Sequence, residues 1–194
     1  MNEELSKLID EAKAITEDAR KTFGHLSAEQ LNWKPSAESW SVAQCLEHLI
    51  VINSGYFPII KKLVRGEYKH SLKERLPVLP KVFGKLVINA VKPEAQRKIK
   101  ASTKFEPSKS AIDAQIVNKF VEHQQEVIEH MKMTENLNLN KIIITSPVAS
   151  LVTYSLLDAH KIVVLHEQRH IAQAKRVMET EGFPKDKLMS SAAH

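Results

Sequence analysis

From Ser155 to Glu181 the chain carries one continuous helical pattern, and two histidines stand inside its apolar stripe. Ala159, Ile162, Val163, Ala174 and Val177 recur at steps of three and four. His166 and His170 fall on the same face, one turn apart, because residues four apart on a helix project to one side. The face that must be buried for the helix to pack therefore carries two imidazoles with it. A buried polar group without a partner costs about 1–3 kcal/mol. One divalent metal ion would partner both rings at once, whereas ordinary core histidines would need hydrogen-bonding neighbours.

The rest of the sequence repeats the helical pattern. Leu5, Leu8, Ile9, Ala12, Ile15, Ala19 and Phe23 predict a first helix over about 2–24, stopped at Gly24. Ser27 and Gln30 have capping-box spacing and open one helical turn. Ser41 and Gln44 repeat that signature at the start of a second helix. Trp40 and Cys45 occupy the positions of a hydrophobic staple. Val42, Cys45, Leu49, Ile52 and Tyr56 carry this helix to about Arg65, with a kink expected at Pro58. Residues 66–108 read as an irregular connection with one short helix over Val82–Val91. A third helix is expected from Ser108 or Ser110, with Asp113 in its first turn, where a negative charge suits the helix dipole. Its stripe is Ile112, Ile116, Phe120, Val127 and Met131. Asn136–Asn140 is a turn cluster, and Lys141–Thr145 is the one β-branched run. The expected class is all-α: one domain over 1–194, a four-helix bundle with a long connection between its second and third helices.

Composition bounds the function. With 43% hydrophobic residues and 5 glycines in 194 residues, the chain has material for a sizeable core. It holds no apolar run long enough for a membrane span, and no membrane partner is expected. The start, Met1-Asn2-Glu3-Glu4, does not resemble a signal peptide, and the single cysteine suits a reducing cytoplasm. Net charge is +5, concentrated between Lys61 and Lys109, where about 14 Lys/Arg face about 4 Asp/Glu. Such a segment could meet nucleic acid, an anionic membrane or an acidic metabolite. It carries no recognition motif for nucleic acid and little aromatic interleaving, so no sequence-specific nucleic-acid partner is expected. The plainest reading is a solvated insertion.

A third metal ligand would come from the second predicted helix, where His48 shares a face with Cys45 and Ile52. Three imidazoles leave coordination positions open to water or substrate, which is the form of a catalytic rather than a structural site. Two better-known patterns fit poorly. His166-Glu167-Gln168-Arg169-His170 matches the zincin signature, but Gln173 and Arg176 replace the Gly and His of its extended form. Too little chain follows for a further ligand on a separate helix. Glu167-x-x-His170 and Glu67-x-x-His70 imitate a di-iron pair, but Glu67 and His70 lie past the second helix. Cys45 reads as a small buried hydrophobe. His25, His70, His123, His130, His160 and His194 show no convergent spacing, and His160 is about 120° round its helix from His166. Glu167 points about 100° away from His166. No catalytic base stands out.

Three stretches together resemble the DinB/YfiT-like superfamily. They are Trp40-Ser41 leading to His48-Leu49, Ser146-Pro147 before the last helix, and His166-x-x-x-His170-x-x-Gln173. The resemblance implies an up-down-down-up four-helix bundle with a divalent metal, nickel or zinc, held by His48, His166 and His170. It also implies a homodimer and a small-molecule substrate, with a low-molecular-weight thiol as one option. The activities it suggests are thiol S-transfer and metal-dependent hydrolysis. A non-enzymatic metal- or ligand-binding stress-response module is the alternative. Gln173, one turn past His170, reads equally as a donor supporting a ligand and as a plain polar residue at a helix edge. The basic stretch 66–108 departs from compact members and leaves the substrate open.

Overall fold

The computed structural model describes residues 2–75, 78–94, 107–108 and 111–184. Its elements in chain order are α1 (Glu3–Phe23), α2 (Ala28–Asn32), α3 (Val42–Ser54), α4 (Phe57–Val64), a 3-10 turn (Leu72–Arg75) and α5 (Leu79–Val91). There follow α6 (Ile116–Met133), β1 (Ile143–Thr145), β2 (Thr153–Ser155) and α7 (Leu156–Glu179). The chain is predominantly helical, and no helix among the described residues is long and apolar enough to cross a membrane.

Local chemistry sets the helix ends. Asn2 Oδ1 accepts from the Glu4 N–H at the start of α1, where Glu3 and Glu4 also oppose the positive end of the dipole. Ser27 and Ser41 open α2 and α3 with complete capping boxes: each hydroxyl accepts from the backbone N–H three residues on, and Gln30 and Gln44 accept in return. Ser155 Oγ accepts from the Asp158 N–H to open α7. Gly182, at φ 87°, takes the left-handed backbone in the turn that follows the Thr180 cap of α7. Leu5, Ala12, Ala19 and Phe23 of α1, Leu46 and Leu49 of α3, Phe120 of α6 and Val164 of α7 are all fully buried. Burying one such large apolar side chain is worth about 1.5–3 kcal/mol, so the shared interior holds the helices together. Within it α1 and α3 each pack against both α6 and α7.

Several expectations need correction. The second helix is not continuous to Arg65: α3 ends at Ser54, and α4 begins at Phe57. Pro58 does not kink a helix interior. It stands in the first turn of α4, where its missing N–H is no loss. The third helix starts at Ile116, later than expected. Asp113 instead caps the preceding turn, its Oδ1 accepting from the Gln115 N–H, and Ile112 is held outside the helix by paired hydrogen bonds with Asn32. Ser110, one of the two starts expected, lies outside the described residues.

The described parts of the stretch 66–108 hold more regular structure than its prolines suggest. Glu74 accepts hydrogen bonds from Tyr68 Oη, the Ser71 N–H and Thr145 Oγ1, tying the 3-10 turn to β1. The apolar run expected over Val82–Val91 is α5, which starts three residues earlier because Pro80 is well placed in a first turn. α5 lies against β2 and α7. The contact is close enough at Gly84 that a Cβ there would stand 2.5 Å from Asp158 Oδ2. The β-branched run forms β1, paired antiparallel with β2 in the register Ile144 opposite Tyr154. That hairpin delivers the chain directly into α7.

Candidate metal centre

His48 projects from α3, and His166 and His170 from α7, into one space. Their ligand nitrogens all lie within 4.8 Å of one another. His166 Nε2 and His170 Nε2 are 3.0 Å apart. The His48 ring centroid stands 5.2 Å from that of His166 and 4.8 Å from that of His170, each edge-to-face. His48 and His170 are buried, and His166 retains some exposed surface. The two elements pack directly against each other, and Ala43, Cys45 and Leu49 of α3 and Ala174 of α7 are all buried.

Burial, reinforced by its neighbours His170, His48 and Arg169, pushes the His166 imidazole well below its usual pKa. Burial, with His48 and Arg169, lowers His170 to about 3. His166 is packed densely enough for desolvation to dominate despite its residual exposure. Both rings are therefore neutral near pH 7, the protonation state in which a histidine can ligate a metal. The donor set also fits in size. Two nitrogens on one tetrahedral zinc, each about 2.0–2.1 Å from it, stand about 3.3 Å apart, close to the His166–His170 separation. His48 is the looser member and needs a small ring adjustment to join them. Three histidines close together can thus hold a metal ion here.

Around the triad lie, besides the expected Gln173, residues that the sequence did not assign to it. Trp40 stacks on His170, with ring centroids 5.5 Å apart and planes at 17°, and tilts over His48 at 4.8 Å. The sequence places it as one half of a hydrophobic staple; its position immediately before the Ser41 cap, about two helical turns ahead of His48, is the available signal. Arg169 Nη1 donates to the carbonyls of Ala90 and Lys92, so the end of α5 is fastened beside His170. Glu47, next to His48, accepts from both the N–H and the hydroxyl of Ser108, and Gln44 Nε2 donates to the Ser108 carbonyl. Gln173 neighbours the His170 ring and favours its charged form slightly, although Nδ1 makes no hydrogen bond of regular geometry.

The other sequence candidates fall elsewhere. Glu167 is fully buried and turned away from the triad, its Oε1 accepting from Asn53 Nδ2 at 2.6 Å. Gln124 faces the same carboxyl without reaching regular hydrogen-bond distance to it. Glu167 cannot serve as the general base of a zincin from that position. Cys45 is buried, its thiol pushed up to about 12 by desolvation, as befits a packing residue. His160 is buried in hydrogen-bond contact with Thr134 Oγ1, away from the triad. His70 is exposed and paired with Glu74, and Glu67 lies beyond α4, so no di-iron pair forms there. An interior cavity lined by Asn53, Phe57, His130 and His160 among others involves none of the three histidines. His194 lies outside the described residues.

Comparison with curated proteins finds no match, and comparison with solved structures finds none. A family model described as the DinB superfamily matches residues 11–174, a span that begins within α1 and runs through His48, His166 and His170. The span covers most of the 194 residues, and the chain belongs to the DinB superfamily.

Proposed function

We propose that this protein is a divalent-metal-dependent enzyme acting on a small molecule, with His48, His166 and His170 as the protein ligands and nickel or zinc as the ion. The observation that carries this reading is the convergence of three imidazoles from two helices, two of them 3.0 Å apart at Nε2. When bound, such an ion acts as a Lewis acid and lowers the pKa of a coordinated water or thiol toward neutrality. The chain supplies the rest. The two helices pre-position the imidazoles, burial keeps those of His166 and His170 neutral, Trp40 covers one side of His170, and no fourth side-chain ligand closes the set among the described residues. That arrangement suits transfer to or from a thiol, or hydrolysis of a carbonyl compound.

On this reading α1, α3, α6 and α7 form an up-down-down-up four-helix bundle, and the protein works as a cytoplasmic homodimer on a small-molecule substrate, with a low-molecular-weight thiol as a second reactant. One observation favours a second reading, a metal- or ligand-binding module without catalysis: the two carboxylates adjacent in sequence to these histidines are both committed elsewhere, Glu167 to Asn53 and Glu47 to Ser108. Elemental analysis of protein purified without a metal-affinity column tests the shared premise. About one equivalent of a divalent metal per chain is expected, and a metal-free protein that refuses nickel and zinc on titration overturns the enzyme and the metal-binding form of the module. Turnover with thiol and electrophile pairs then separates the enzyme from the module.

A further inference from the structure

We propose that the outward face of α5 docks on an anionic lipid surface. α5 uses one side for the core: Pro80 and Gly84 are buried, and Val87, Ile88 and Val91 pack against the core cluster. The other side is apolar as well. Val78, Val82 and Leu86 follow at steps of four and are 63%, 51% and 61% exposed, with Leu79 beside them at 41%. On a soluble helix these positions normally carry polar residues. Lys81 and Lys85, both exposed, run along one flank of this stripe, and the helix contains no acidic residue. Among the described residues neither lysine is in an ion pair. The neighbouring 3-10 turn and hairpin add Leu72 and Leu151, 80% and 69% exposed. Most of the large exposed hydrophobics of the described chain are thus gathered on adjoining elements.

Charge and composition decide the occupant. A second copy meeting this face symmetrically would bring lysine against lysine. A protein hot spot is usually built on Trp, Tyr or Arg, and the stripe has only Val, Leu and Lys. Duplex phosphates would reward the lysines but leave the aliphatic stripe in water. Aliphatic side chains bordered by lysines are what an interfacial helix presents to anionic lipid, where the apolar face enters the headgroup boundary and lysine stems reach back to phosphate. The absence of a spanning helix does not bear on such a peripheral contact.

The test is co-sedimentation of the full chain with vesicles of phosphatidylcholine alone or of equal parts phosphatidylcholine and phosphatidylglycerol. Expected is pelleting with the anionic vesicles only, weakened by salt. Val82→Ser/Leu86→Ser should abolish it, and Lys81→Glu/Lys85→Glu should weaken it roughly tenfold or more. All four substituted side chains are at the surface, and circular dichroism with thermal melting checks that each variant remains folded. No preference for the anionic vesicles overturns the proposal. So does undiminished binding by the serine variant, which would mean charge alone at work. Self-association lost in the serine variant, without vesicle binding, assigns the face to a second copy.

Discussion

Asn53 on α3 donates through Nδ2 to Glu167 Oε1 on α7 at 2.6 Å, with both side chains fully buried. The two helices so joined are the ones that carry the histidine triad. Asn53 lies five residues after His48, and Glu167 directly follows His166, so this bond ties α3 to α7 close to the triad. Glu167 has no water to ionise into. Burial raises its pKa to about 8, against the opposing influence of Gln124 and Asn53, and near neutrality it is mostly an uncharged acid accepting the amide's hydrogen.

The first prediction follows from that tie. Asn53→Ala leaves a buried carboxyl without its donor and should destabilise the fold by about 1–3 kcal/mol in urea unfolding. It should also weaken metal binding about tenfold, the low end of what loss of a supporting partner costs. Glu167→Gln preserves size and an accepting oxygen and should change both far less. Equal damage from the two substitutions would mean that ionised Glu167, not the geometry of the tie, is what matters.

Glu167 also sets an alkaline limit. Its pKa is about 8 folded and near 4.5 unfolded, so the folded chain holds the proton more tightly across that window. Stability contributed by the neutral acid is complete below pH 4.5 and lost as pH rises through about 8, a change on the order of a few kcal/mol. His160 runs the other way. Burial lowers it to about 4, so stability is full above its ordinary value of 6.5 and lost as pH falls toward 4. His123 and His170, lowered by burial to about 4 and about 3, act in the same direction as His160, so thermal melts of metal-free protein should peak near pH 6–7. Glu167→Gln should remove the alkaline fall and leave the acid one. Persistence of the alkaline fall in that variant would dismiss Glu167 as its source.

The sequence disclosed some of this and hid the rest for physical reasons. His166 and His170 were legible because a helix with a 3.6-residue period puts them on the same stripe as Ala159, Ile162, Val163, Ala174 and Val177. The serine caps at 27, 41 and 155 were legible because capping is local chemistry between residues three apart. The break after Ser54 was not, since the apolar residues of α3 and α4 keep one phase across it. Nor was β2: three residues cannot display a period, and Thr153–Ser155 becomes a strand only by pairing with β1. Trp40 over His170 and Asn53 on Glu167 are contacts between residues more than a hundred positions apart, and no local pattern announces them.

His170→Ala should reduce metal affinity at least about 100-fold, more than the loss of a supporting partner would, because it removes a ligand. Far-UV circular dichroism should be nearly unchanged, since the apolar interior of α7 does not depend on that ring. Titration calorimetry of the two metal-free proteins measures the difference. Unaltered affinity would place the ion elsewhere. Unfolding of the variant, together with unfolding of the wild type by a chelator, would make the metal structural.

The two tryptophans give an optical test of the same site. Trp40 stands 5.5 Å from His170 and 4.8 Å from His48 by ring centroid, whereas Trp33 packs edge-on against Phe183, centroids 5.6 Å apart. An open-shell ion such as nickel or cobalt quenches indole fluorescence strongly at contact range, and closed-shell zinc does not. Trp33→Phe, which leaves Trp40 as the only indole, should lose most of its emission as nickel is added, with an end point near one ion per chain. Trp40→Phe, reporting from Trp33, should change little, and His170→Ala combined with Trp33→Phe should restore the emission. Equal quenching of both single-tryptophan proteins would signal scattered binding to surface histidines such as His70, and the triad would lose its claim to the metal.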